Sequence, residues 1–259
     1  MTIKNLLLAA IGLLLATPTA LLAQQSGEEK RAREIFDEVD RRRESITYET
    51  ADMQMLIYDS RNRTRNRQLQ SFSYNDGEVS RSLLIFEEPA NVRGTAFLTL
   101  SEGDEDVQKL YLPALERIKI ISASEKSDRF MGSDFTYEDL GDREPEDYQF
   151  SLIEETDTSS ILRAEKVEES QYAWLRFYID PERYVVQKIE YFNEREEMIK
   201  RLETGKYEEV ADQVWQANRM VMFDLREDRK TELIWSDRQI NNPIPDWRFT
   251  DRGLRRGAS

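Results

Sequence analysis

Histidine and cysteine, which carry much of protein chemistry, are both absent from this 259-residue chain. That removes the thiolate nucleophile, the disulfide, the lipid-accepting thiol and the cysteine-ligated zinc or iron–sulfur centre. It also removes the imidazole base and the imidazole metal ligand. Carboxylates, serines, lysines and tyrosines remain. With 51 acidic residues, neighbouring Asp and Glu arise from composition alone and do not single out a general acid and base. No Gly-rich phosphate loop or nucleophile elbow is present. The loop Ser101–Asp106 (SEGDED) offers oxygen ligands but lacks the spacing of a calcium loop, and it reads as a solvated turn. No enzyme activity, metal or cofactor is therefore expected. The formal charge of −14 has the wrong sign for a nucleic-acid binder.

Two patterned sets point instead to binding. Arg61, Arg63, Arg65 and Arg67 alternate, so on a strand they share one face. They read either as a charged edge that blocks strand-to-strand aggregation or as a docking stripe for lipid phosphates or an acidic partner. Met53 and Met55, and Met220 and Met222, also recur at period two. They are either ordinary core or the adaptable wall of an apolar cavity. Leu84 and Phe86, then Ala96, Leu98 and Leu100, then Leu110 and Leu112, then Ile118 and Ile120 each keep one phase. They are expected to form one apolar surface across neighbouring strands.

These residues need elements to hold them. Lys4, the apolar run Leu6–Ala16 and the small residues that follow form a secretory signal-peptide pattern, too short to span about 30 Å of hydrocarbon. Cleavage is expected after Ala23, giving residues 1–23 as signal peptide and 24–259 as a single, periplasmic, monomeric domain. A helix is expected from a Ser26 cap, with Ala32, Ile35, Phe36 and Val39 on one face. From Ile46 the period becomes two, with turns at Asn75–Asp76–Gly77 and Asp180–Pro181 and a polar linker over Gly132–Pro145. Roughly ten or more short strands predict a mainly β fold, an antiparallel meander, curved sheet or incomplete barrel. An N-terminal helix and a short helical element around Phe130–Leu140 cover it.

The densest signal runs from Arg81 to Leu140. Phe86, Pro89, Arg93, Gly94, Thr95 and Leu98 are followed by Tyr111, Leu112, Pro113, Ala114 and Leu115. The closing phrase is Phe130, Met131, Gly132, Ser133, Asp134, Phe135, Thr136, Tyr137, Glu138, Asp139 and Leu140. This resembles the outer-membrane lipoprotein-sorting protein family, relatives of the LolA carrier, and the likeness extends to IPDWRFTDRGL near the C-terminus. Gln108–Lys109 departs from the family pattern, where an aromatic is expected. As to the motif itself, Gly94 and Gly132 suit positive φ, Ser133 and Asp134 suit a helix cap, and Pro89 and Pro113 suit strand ends. The resemblance implies a half-open, LolA/LolB-like bent sheet whose apolar concavity holds lipid or the acyl chains of lipoproteins. It leaves two functions open: a periplasmic carrier working towards the outer membrane, or an interaction module beside an inner-membrane RND-type transporter.

Overall fold

In the computed structural model, residues 18–102, 105–141 and 145–257 are described. The period-two pattern is realised as two consecutive meanders. The first comprises β1 (Tyr48–Tyr58), β2 (Thr64–Asn75), β3 (Val79–Glu88), β4 (Ala96–Glu102), β5 (Glu105–Leu112) and β6 (Arg117–Ile120). The second comprises β7 (Tyr148–Glu155), β8 (Ser160–Lys166), β9 (Trp174–Asp180), β10 (Val185–Phe192), β11 (Met198–Ala211), β12 (Val214–Asp224) and β13 (Arg229–Ile240). Antiparallel pairing of β1 with β13 joins them into one 13-stranded sheet, ordered β6-β5-β4-β3-β2-β1-β13-β12-β11-β10-β9-β8-β7. The sheet is mainly β, curved and not closed.

This order puts β6 and β7, consecutive in the chain, at opposite edges. The segment between them, residues 121–147, must therefore cross the whole sheet. Thirteen strands about 4.8 Å apart would spread over roughly 60 Å if flat. The strap carries four short 3₁₀ turns, doubles back at the Arg129–Thr136 bridge, and packs on the inner face of the sheet. The expectation of a polar linker at Gly132–Pro145 is thus corrected: Ser133, Asp134, Phe135, Thr136, Tyr137 and Asp139 are buried.

The inner face of the sheet is covered by this strap and by α1 (Pro18–Glu44). The α1 helix runs unbroken past Ser26, so Ser26 is an interior position and not the expected cap. Its stripe of Ala32, Ile35 and Phe36 is buried, with the Phe36 ring 4.5 Å from Phe150 and 5.3 Å from Phe177. The Arg31–Glu155 pair at 2.7 Å and the Arg33–Glu146 pair flank that stripe. The signal-peptide reading falls on residues 1–17, outside the described residues, and on the first turns of α1, whose side chains are also outside them. No helix among the described residues is long and apolar enough to cross a membrane.

The outer face carries its own apolar cluster, built by Leu83, Ile85, Ala96 and Leu98 with Ile244, Phe249 and Leu254 from the C-terminal segment. That segment ends in α2 (Asp251–Arg256). Strand β4 is therefore apolar on both sides, which corrects the single surface expected from sequence. Cross-strand partners share a face, and the register pairs Leu84 with Phe97 and Leu98 with Leu83. It also pairs Phe97 with Leu110, and Tyr111 with both Ala96 and Ile118. Leu84, Phe86, Leu110 and Leu112 belong to the inner cluster. Ala96, Leu98, Leu100, Tyr111 and Ile118 belong to the outer one, and Ile120, opposite Lys109, is 64% exposed.

The reading of the arginine run as a protected edge is corrected as well. Strand β2 lies between β1 and β3, so it is no edge. Arg63 pairs with Asp59 at 2.6 Å in the preceding turn, Arg65 donates to the Gly132 carbonyl of the strap, and Arg67 is buried over the Phe86 ring.

Candidate ligand cavity

The long motif is the strap, and its residues fix it to the sheet. Phe130 inserts against Phe97 and Phe86, with ring centroids at 4.9 and 5.8 Å, and Tyr137 closes the cluster 5.5 Å from Phe97. Met131 has φ of +50° and Gly132 of +73°. This tight reversal turns the Gly132 carbonyl towards Arg65 and Arg229, which donate at 3.2 and 3.1 Å. Gly94 also has positive φ, +78°, packed beside Pro113, and Pro89 follows a cis peptide bond. Ser133 donates to the Phe135 carbonyl. Asp134 caps nothing: its backbone N–H donates to Thr231 Oγ1 at 2.9 Å, and that hydroxyl donates back to the carboxylate at 2.7 Å. Burial raises the Asp134 pKa, because Thr231 and Arg229 only partly offset the lost water.

Asp139 anchors the far end of the strap. Its Oδ2 takes hydrogen bonds from Thr136 N at 2.8 Å, Thr136 Oγ1 at 2.9 Å and Lys200 Nζ at 3.0 Å, while Tyr172 donates to Oδ1 at 2.9 Å. Burial first, then the neighbouring carboxylate, pushes the Tyr172 hydroxyl well above its ordinary pKa. Glu138 accepts from Ser170 and from Gln171, whose side chain also donates to Thr136. Gln108, the departure from the family pattern, donates to the Tyr137 carbonyl at 2.8 Å. A polar residue there ties β5 to the strap.

Strap residues Phe130 and Tyr137 cover the inner face over β3 and β4. Met53, Met55 and Met222 are fully buried in the same cluster. The second meander is different. Beneath the last turns of α1, between the helix and β9–β13, lies a cavity of about 420 Å³. Phe36 and Val39 form its roof, and Phe177, Val186, Ile189, Leu202, Trp215, Met220 and Trp235 are on its walls. Of the thirteen lipid-cavity candidates read from sequence, Met220 alone lines it. The missed residues did have a signal. The helical stripe from Ala32 to Val39 is about 11 Å long, whereas the 14 residues of β11 run for roughly 46 Å. So short a stripe leaves part of the inner face without a partner.

Six charged side chains also line the cavity: Asp40, Arg42, Arg43, Glu49, Arg183 and Arg238. Arg43 pairs with Asp40 at 2.7 Å, and Arg238 pairs with Glu49 while also reaching Gln216. Burial raises the Glu49 pKa against the pull of Arg238. Arg42 clamps the helix end to two hairpin turns, donating to the carbonyls of Arg183 at 3.0 Å and Gln213 at 3.1 Å. A shallower polar groove of about 260 Å³ shares Arg43, Glu49 and Gln216 with the cavity and continues towards Ser73, Ser80 and Thr99. A cavity whose wall joins apolar side chains to several arginines suits an amphiphile.

The comparisons with known proteins agree with this architecture. A family model described only as "Uncharacterized protein" matches residues 78–256. The chain is similar, at 30% identity and a TM-score of 0.83, to a solved structure from Vibrio parahaemolyticus described as an outer membrane lipoprotein-sorting protein domain; 88% of this chain and 99% of that one are covered. A DUF1329 family protein from Desulfovibrio piger shares the fold at 23% identity and a TM-score of 0.82, over 88% of this chain and 99% of that one. A LolA superfamily protein from Nitrosomonas europaea does so at 19% identity and 0.67, over 85% and 97%. No curated protein matches the chain.

Proposed function

As the chain belongs to the outer membrane lipoprotein-sorting protein family, we propose that it is a periplasmic carrier that shelters an acyl chain, of a lipid or a lipoprotein, in the cavity under α1. The chain is exported by residues 1–23, cut after Ala23, and works as one domain. The observation that carries the reading is the 420 Å³ cavity itself, walled by Val186, Ile189, Leu202 and Met220. Each methylene moved from water into such a wall gains about 0.8 kcal/mol, so a chain of several carbons is held without specific contacts. Adaptable thioether and β-branched walls fit a ligand of variable length.

The test is native mass spectrometry of the protein taken from its own envelope fraction, beside the variant Ala217→Trp. Ala217 lines the cavity, and an indole there occupies it. Lipid mass should accompany the wild type and be lost from a folded Ala217→Trp protein. Wild type that is empty, yet stoichiometrically bound to a membrane transporter, would overturn the carrier reading in favour of an interaction module.

A further inference from the structure

The charge on the cavity wall does not match that of the molecule. The chain as a whole carries −14, yet the wall has four arginines against two carboxylates. The carboxylates are already engaged, Asp40 by Arg43 and Glu49 by Arg238. Arg42 is held by Glu38 at 2.8 Å and by the carbonyls of the hairpin turns. That leaves Arg183. Its guanidinium lies 4.8 Å from the Trp215 ring centroid, and among the described residues no carboxylate is within ion-pair distance of it. Stacking on indole positions the cation at low entropic cost and leaves its in-plane donors available. Those donors stand at the turn where β9 passes into β10, beside Tyr184, Val185 and Val186 of the same cavity wall.

We propose that the cavity takes a single-chain amphiphile with an anionic head, a carboxylate or a phosphate ester, whose head group pairs with Arg183 while its chain lies against Val186, Ile189 and Met220. This rests on the carrier reading and narrows it. The volume argues for one chain, because about 420 Å³ falls in the lower half of the range for single small-ligand pockets, roughly 300–1,000 Å³. The charge argues for the head, because the Arg183 guanidinium, without an ion-pair partner among the described residues and beside a low-dielectric wall, favours an anion over a neutral or cationic group of the same length.

Trp215 and Trp235 line the cavity and supply the readout. Dodecanoate, dodecyl phosphate and dodecanol, each carrying a bromine on the terminal carbon, are titrated against the full chain, and tryptophan quenching is followed. Both anions should bind at least about tenfold tighter than the alcohol, the preference of one charge-assisted contact. The ratio of carboxylate to phosphate ester tells which head is favoured. In Arg183→Gln that preference should shrink to within about threefold while dodecanol affinity stays unchanged, since a neutral head has no ion pair to lose. Equal binding of all three probes to the wild type overturns the anionic-head proposal and leaves the carrier reading intact. Quenching by none of them overturns both. Because the head-group comparison is made within the wild type, it does not depend on the variant folding.

Discussion

Asp139 and Lys200 form a buried ion pair at 3.0 Å, with side-chain exposures of 1% and 2%, and they join the strap to β11. Removing one member leaves the other as an uncompensated charge, which costs about 3–5 kcal/mol in a buried pair. The two singles should not be equal. In Lys200→Met the carboxylate keeps three donors, from Thr136 N, Thr136 Oγ1 and the Tyr172 hydroxyl, so its loss should sit at the low end. In Asp139→Asn the ammonium keeps the Tyr172 oxygen and a neutral amide oxygen, so the loss should sit at the high end. For a chain of this size, with about 2–4 °C per kcal/mol, the melting temperature should fall by roughly 6–20 °C. The double variant should lose less than the sum of the singles, because neither charge is then left alone. Reversible urea unfolding of the four proteins measures the cycle. Additive losses, or a larger cost for Lys200→Met than for Asp139→Asn, would refute the account of the strap as held by this pair.

Three further outcomes are expected. Hydrogen bonding from Arg41, then Arg42, holds the Glu38 carboxyl at about 2, against an ordinary 4.5. The stability it adds is thus present above about pH 4.5 and lost as the pH falls towards 2; melting temperatures across that window should drop less for Glu38→Gln than for wild type. Gly253→Ala should unseat α2, because a Cβ there would lie 1.9 Å from the Arg248 carbonyl oxygen, and thermal melts should show a loss of about 1–3 kcal/mol. Leu98→Ala should cost about 2–5 kcal/mol yet leave amphiphile affinity unchanged, since Leu98 belongs to the outer cluster with Phe249 and Leu254; weaker binding at equal stability would contradict that placement.

The strands and hairpins were legible because their signal is local. Alternation marks each strand, and Asn75–Gly77 or Pro181 marks a turn. Facing across strands was not legible, because it depends on register. Bulges such as the one between Gln68 and Leu69 shift which residue meets which, and a one-residue shift flips a side chain to the other face. With apolar residues on both sides of β4, phase alone could not assign Leu98 or Ala96. The motif Phe130–Leu140 was legible as a pattern, but its role was not. The partners that justify burying Asp134 and Asp139 lie 97 and 61 residues away, at Thr231 and Lys200, and no local rule connects them. The cavity was the least legible feature, since it arises from a mismatch between a short helical stripe and long strands rather than from any motif.

The strand order has a consequence for how the chain reaches this state. Every neighbouring pair but one joins strands consecutive in the chain, so each meander closes through short loops and can zip up alone on a fast timescale. The exception, β1 with β13, brings together segments from opposite ends of the chain and bears the large loop-closure entropy. Until that seam forms, two half-sheets each present an unpaired edge, β1 in one and β13 in the other, carrying Met53, Met55, Ile57, Leu233 and Trp235. Exposed apolar edges of this kind are templates for association between chains. The slow, aggregation-exposed interval of folding is therefore assigned to the docking of two preformed halves, with the strap between β6 and β7 as the tether that sets their effective concentration.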